Sequence, residues 1–150
     1  MKIYVDADSC PRPARDIILR AAKRTGIPVI FAANRLPPGV PEGAALLCPP
    51  GNNAADDAIV ARVRPGDLVV TRDIPLTARI VDAGAAVLDD RGRVCTRENI
   101  AERLSLRNFT VGLAENGLDF EWAAAYGQRE RKTFADTLDR LLTRLLKPVD

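Results

Sequence analysis

The chain has 150 residues, 47% hydrophobic and 28% charged, enough for one soluble domain to bury about 70% of its unfolded surface without disulfides or a structural metal. It contains no histidine, which excludes Ser-His-Asp and Cys-His catalysis, histidine-ligated zinc and any imidazole general base. The net charge of +2 carries no basic or acidic tail, so any grip on nucleic acid would fall to a few placed arginines, which suit phosphate better than lysines do.

Ile3-Tyr4-Val5 predicts a short buried strand, ended by Asp6-Ala7-Asp8-Ser9. Ser9 or Cys10 can cap the next helix, with Pro11 in its first turn and Ile17, Ile18, Ala21 and Ala22 on its apolar side. Gly26 stops that helix, and Val29 to Ala32 is a second strand. Residues 34–53, rich in proline and glycine, read as a long loop whose one strand-like stretch is Ala45 to Cys48. Asn53 then caps a helix from Ala54 to about Arg64. The strand Leu68-Val69-Val70 ends in Thr71-Arg72-Asp73, and Pro75 opens a helix running to about Asp82. Ala86-Val87-Leu88 is the next strand, ended by Asp89-Asp90.

Beyond it the chain reads as helical. Short helices are expected over Glu98 to Arg107 and Phe109 to Glu115, and Phe134, Leu138, Leu141, Leu142 and Leu145 recur at helical spacing through Gln128 to Leu146. Strands joined by single helices require parallel pairing and right-handed crossovers. The expected fold is therefore α/β, an open, doubly wound, mainly parallel sheet with extra C-terminal helices, as one domain over residues 1–150.

In such a sheet ligands bind outside the carboxyl ends of the strands. Those ends are acidic here: Asp6 and Asp8 after the first strand, Asp73 after the third clear one, Asp89 and Asp90 after the last. Asp56 and Asp57 sit in a helical first turn that belongs on the same edge. Two carboxylates 4 Å apart repel by roughly 4 kcal/mol at an effective dielectric near 20, so a converging set calls for a shared proton or a cation. All-oxygen ligands suit Mg²⁺ or Mn²⁺, and such an ion can activate water and polarise a phosphoryl group without any imidazole. Arg12 and Arg15 share one face of the helix after the first acidic loop and can steer a phosphate.

Several strings are similar, in order, to the YaiI/YqxD family of bacterial proteins: Val5-Asp6-Ala7-Asp8-Ser9-Cys10-Pro11, Ala32-Ala33-Asn34, Ala55-Asp56-Asp57-Ala58-Ile59-Val60, Gly66 through Leu76, Arg91-Gly92 and Gln128-Arg129-Glu130-Arg131. The resemblance implies a PIN-like nuclease fold, whose members gather three or four acidic residues around Mg²⁺ or Mn²⁺ and cut RNA or DNA. By position it implies Asp6, Asp8, Asp56 and Asp73 as metal ligands, with Thr71 as the hydroxyl beside the last of them. The chain departs from the family at Asn53, where an aspartate is common, and at Asp89-Asp90, where Asn-Pro is common. The first departure removes a ligand and the second adds two carboxylates. The aromatics Phe120, Trp122 and Tyr126 also fall outside the family's glycine-rich pattern and read as a lid over the sheet or as stacking groups for bases.

The resulting expectation is a metal-dependent nuclease or phosphodiesterase acting on single-stranded RNA or DNA, with Arg12, Arg15, Arg72, Arg129 and Arg131 contacting the phosphate backbone. Two alternatives stand beside it. One is a haloacid-dehalogenase-type phosphatase with Asp6 as nucleophile and Asp8 as general acid; residues 72–88 lack the lysine such enzymes use, so Arg72 or Arg79 would substitute. The other is a non-catalytic PIN-like module that binds nucleic acid or protein. Three scattered cysteines, no leader-like start and no membrane-length apolar run point to the cytoplasm.

Overall fold

A computed structural model describes residues 1–50, 53–102, 105 and 126–146. Six strands form one sheet: β1 (Ile3–Asp6), β2 (Val29–Ala33), β3 (Ala45–Leu47), β4 (Leu68–Val70), β5 (Ala86–Leu88) and β6 (Val94–Cys95). Their spatial order is β3-β2-β1-β4-β5-β6. The first five run parallel, with Ile3 beside both Val29 and Leu68, and β6 returns antiparallel to β5.

The apolar runs explain why this sheet is covered on both faces. Ile3, Val5, Phe31, Leu68 and Leu88 pack with α1 (Arg12–Thr25), through Ala14 and Ile18, and with the C-terminal helix (Gln128–Leu146), through Phe134 and Leu138. Their neighbours along the strands, Tyr4, Ala32, Val69 and Val87, face the other way. They meet Ile59 of α2 (Ala54–Arg62) and Leu76 and Ile80 of α3 (Ile74–Asp82). This is an open, doubly wound α/β fold.

Local departures from expectation have physical causes. Helix α1 starts at Arg12 with Pro11 at its cap position, because Ala7–Ser9 forms a 3-10 turn and the Ser9 hydroxyl turns to Asp6 instead of capping. Asn53 does precede α2, but in the left-handed region (φ 68) and with no side-chain cap; its carbonyl accepts from the Asp57 N–H at 2.8 Å. Helix α2 ends at Arg62, two residues early, since Pro65 disfavours helical backbone at Arg64. β3 stops at Leu47. Strand β6 was not expected; two residues are too few to show a period.

Of the expected helix at Glu98 to Arg107, residues 100–102 and 105 are helical. Its other undescribed positions, the expected helix Phe109 to Glu115, and Phe120 and Trp122 lie outside the described residues. No helix among the described residues is long and apolar enough to cross a membrane.

Candidate functional site at the ends of β1 and β4

From β1 the chain crosses through α1 to β2 on one side, and from β4 through α3 to β5 on the other. The sheet order therefore reverses between β1 and β4, and the crevice beyond their carboxyl ends is where an open α/β sheet receives a ligand. Asp6 is the last residue of β1 and is buried, 6% exposed. Thr71, Arg72 and Asp73 follow β4 directly.

Hydrogen bonds tie these two strand ends together. The Thr71 hydroxyl donates to Asp6 Oδ2 at 3.0 Å and accepts from the Asp73 N–H at 3.1 Å. The Ser9 hydroxyl donates to the same Asp6 oxygen at 3.1 Å, and the Arg72 N–H lies 3.4 Å from Ser9 Oγ. Asp73 caps α3, its Oδ1 accepting from the Leu76 N–H at 3.0 Å. Among the described residues Asp6 Oδ1 and Asp73 Oδ2 have no hydrogen-bond partner, so each carboxylate is anchored through one oxygen and offers the other.

The remaining acids join this edge electrostatically. Burial raises the Asp6 carboxyl above its ordinary range and the charges of Asp8 and Asp73 add to the rise, against the lowering by Thr71 and Ser9. Asp56 is pushed up to about 6, first by burial and then by Asp6 and Asp73, with Arg79 opposing. All four acids of the expected metal site thus share one negative field. No three of them, nor any other three carboxylates or thiols among the described residues, sit close enough to make a ready-formed metal shell. Asp8 is exposed, and Asp57 is held by Arg79 at 2.9 Å.

The donor chemistry nonetheless fits a hard divalent cation. Mg²⁺ keeps several waters and commonly takes one or two carboxylates plus substrate oxygens. Two anchored carboxylates with free oxygens, inside a field that raises their neighbours, meet that requirement, and no soft or imidazole donor competes. Burial pushes the Cys10 thiol up to about 12, so it is no thiolate nucleophile at neutral pH.

Asp89 is engaged in a turn. Its Oδ1 accepts from the Arg91 and Arg93 N–H groups, both at 2.9 Å, and its Oδ2 pairs with the Arg93 guanidinium at 3.3 Å, which closes the turn into β6. Asp90 is buried beside Arg72, with Nη1 3.9 Å from its Oδ2. Of the expected phosphate contacts, Arg72 alone is bonded into this network among the described residues, through its backbone N–H. Arg12 is exposed beside Asp16 and Gly39, Arg15 is half-buried, and Arg129 and Arg131 are exposed on the first turn of the C-terminal helix. Sequence reasoning missed Ser9 as a holder of Asp6 and the Tyr126 hydroxyl, which donates to the Asp90 carbonyl at 2.8 Å. A serine three residues after a strand-end aspartate is a signal for the first; nothing local signals the second.

The chain matches a sequence family described as "Uncharacterized BCR, YaiI/YqxD family" over residues 4–144. It is 48% identical over 149 residues to a UPF0178 protein of Myxococcus xanthus, covering 98% of this chain and 97% of that one. A UPF0178 protein of Xanthomonas campestris pv. campestris is 49% identical over 145 residues, covering 95% and 91%. One from Syntrophotalea carbinolica is 44% identical over 147 residues, covering 96% and 99%. No solved structure matches the chain significantly. With near-complete coverage at this identity, the protein belongs to the YaiI/YqxD family.

Proposed function

We propose that the edge between β1 and β4 binds Mg²⁺ or Mn²⁺ and that the protein hydrolyses phosphodiester bonds in single-stranded RNA or DNA, in the manner of a PIN-like nuclease. The observation that carries this reading is the paired anchoring of Asp6 and Asp73 at the switch point, each with one oxygen fixed and one free. Asp6 and Asp73 would hold the ion, and Asp8 and Asp56 would complete its field. A bound divalent ion supplies Lewis acidity toward a phosphoryl oxygen and lowers the pKa of water. Thr71 and Ser9 keep Asp6 oriented, and Arg72, which follows Thr71 and pairs with Asp90, would reach from there to a non-bridging phosphate oxygen. The three buried, free cysteines fit a reducing cytoplasm.

Calorimetric Mn²⁺ titration of the wild type, Asp6→Asn and Asp73→Asn, with cleavage of labelled single-stranded RNA and DNA, tests the proposal. We expect Mn²⁺ binding to fall at least about tenfold in each variant, about 1.4 kcal/mol, and cleavage to disappear. Unchanged Mn²⁺ binding in both variants would remove the metal site. Cleavage by Asp6→Asn at the wild-type level would overturn the assignment of the activity to this site, and oligonucleotide binding by a wild type that never cleaves would assign a binding module.

A further inference from the structure

Asp90 stands outside the proposed ion site, yet at 2% exposure it is the most buried acid among the described residues. The other three buried aspartates are each compensated by two hydrogen bonds: Asp6 by Thr71 and Ser9, Asp67 by the N–H groups of Lys2 and Arg64, Asp89 by those of Arg91 and Arg93. Among the described residues Asp90 Oδ2 has no hydrogen-bond partner. A buried carboxylate oxygen left without one carries a desolvation cost that a structural role would ordinarily relieve; among those residues the only hydrogen bond that bears on this carboxyl comes from its own backbone N–H.

Its ion-pair partner is Arg72, at 3.9 Å, too far for a hydrogen bond, and the Arg72 side chain is 56% exposed. The backbone at Asp90 is fixed by contrast. Tyr126 bonds its carbonyl at 2.8 Å, Asp89 closes the adjoining turn, and Gly92 in that turn stands directly against Thr133 of the C-terminal helix. The carboxylate is thus buried on a held backbone, while the guanidinium side chain is largely exposed. Arg72 itself lies between Thr71 and Asp73, with its backbone N–H on Ser9, so its side chain is rooted at the edge that carries Asp6.

We propose that Asp90 is a positioning residue for Arg72: its buried charge draws the guanidinium back over the β1–β4 edge and holds it loosely, with most of its N–H donors left for a substrate phosphate. A weakly screened attraction acts at this range without a fixed bond, and the planar guanidinium can serve a phosphate with its remaining donors. The inference rests on the phosphodiester reading for what Arg72 meets, but not for what holds Arg72.

Two measurements test it. Relaxation of the Arg72 Nε–H group by NMR, on protein without nucleic acid, is expected to show restricted motion in the wild type and motion like that of an exposed arginine in Asp90→Asn, while backbone amide positions stay in place. Equal restriction in both proteins overturns the proposal. Binding of a fluorescently labelled single-stranded oligonucleotide in chelator is the second. Arg72→Gln and Asp90→Asn should each weaken it about three- to tenfold, and the double variant should bind no more weakly than Arg72→Gln. Independent, multiplying losses, or tighter binding by Asp90→Asn, overturn positioning in favour of separate or competing roles. A wild type that binds no oligonucleotide while Asp90 still restrains Arg72 refutes the nucleic-acid reading and leaves the positioning intact.

Discussion

The Thr71 hydroxyl bonds Asp6 Oδ2 at 3.0 Å, joining the ends of two neighbouring parallel strands across 65 residues of chain. The bond is buried, Thr71 being 1% exposed, and the same oxygen atom of Thr71 receives the Asp73 N–H. Thr71 is therefore a spacer between two candidate ligands and has little freedom to touch a substrate.

Thr71→Val keeps the shape and removes the bonds to Asp6 and to the Asp73 N–H, together with a 3.3 Å contact to the Ser9 hydroxyl. Hydrogen bonds to charged groups contribute about 1.5–3 kcal/mol, and the Ser9 bond to Asp6 remains. We expect a loss of about 2 kcal/mol in urea denaturation, with Thr71→Ser restoring most of it. A Thr71→Val protein as stable as the wild type would show that the hydroxyl does not organise this edge.

Asp73 has a structural duty that can be separated from ion binding. As the cap of α3 it satisfies the Leu76 N–H, and a cap replaced by alanine costs about 0.5–2 kcal/mol. Asn caps as well as Asp, so Asp73→Asn should keep stability near the wild type while losing Mn²⁺ affinity, and Asp73→Ala should lose both. Denaturation curves beside titrations separate the two effects. Equal destabilisation by both substitutions would contradict the capping role.

The positions of Asp6 and Asp73 were legible before the structure because a buried apolar triplet followed by an acid marks a strand end, and alternation with helices fixes which ends share an edge. Pro75 likewise marked α3. What local pattern could not show was the use of each side chain. Asp73 and Asp89 are both strand-end aspartates in sequence, yet one caps a helix and the other closes a hairpin turn, because only the latter is followed by a glycine at positive φ and a returning strand. Asn53 has the composition of a cap and serves through its backbone instead. Asp90 acquires its setting from Tyr126 and Arg72, 36 and 18 positions away, and no short-range rule reaches that far.

Gly92 is the joint between the β5–β6 turn and the C-terminal helix. Its φ of 85° suits glycine, and a Cβ there would lie 2.8 Å from both the Thr133 carbonyl oxygen and its Cγ2. Gly26, which ends α1 at φ 74°, has open space where its Cβ would stand. Gly26→Ala should therefore cost only the backbone strain, about 1 kcal/mol. Gly92→Ala must also displace helix backbone, and should cost clearly more, toward the 1–3 kcal/mol of an overpacked site added to that strain. Thermal melts of the two variants compare them directly, and equal shifts would mean the helix yields without cost.

The buried Asp90 carboxyl also sets a direction for stability against pH. Burial raises it above the ordinary aspartate value, Asp89 adds to the rise, and Arg72 and Arg91 oppose it; Tyr126 and Cys10 stand in the same neighbourhood and stay protonated near neutrality, each pushed up to about 12. A carboxyl raised in the folded state holds its proton more tightly there than in the unfolded chain. Its favourable contribution is complete below the unfolded value and is lost as pH rises through the folded one. In metal-free buffer, Asp90→Asn should thus match the wild type at the acid end. It should gain on the wild type through the window above the ordinary aspartate value of 3.8 and then hold a constant advantage. Urea midpoints for both proteins between about pH 4 and pH 8 give the difference curve. A gap that closes as pH rises would reverse the sign, and would mean that Arg72 stabilises the charged form by more than burial penalises it.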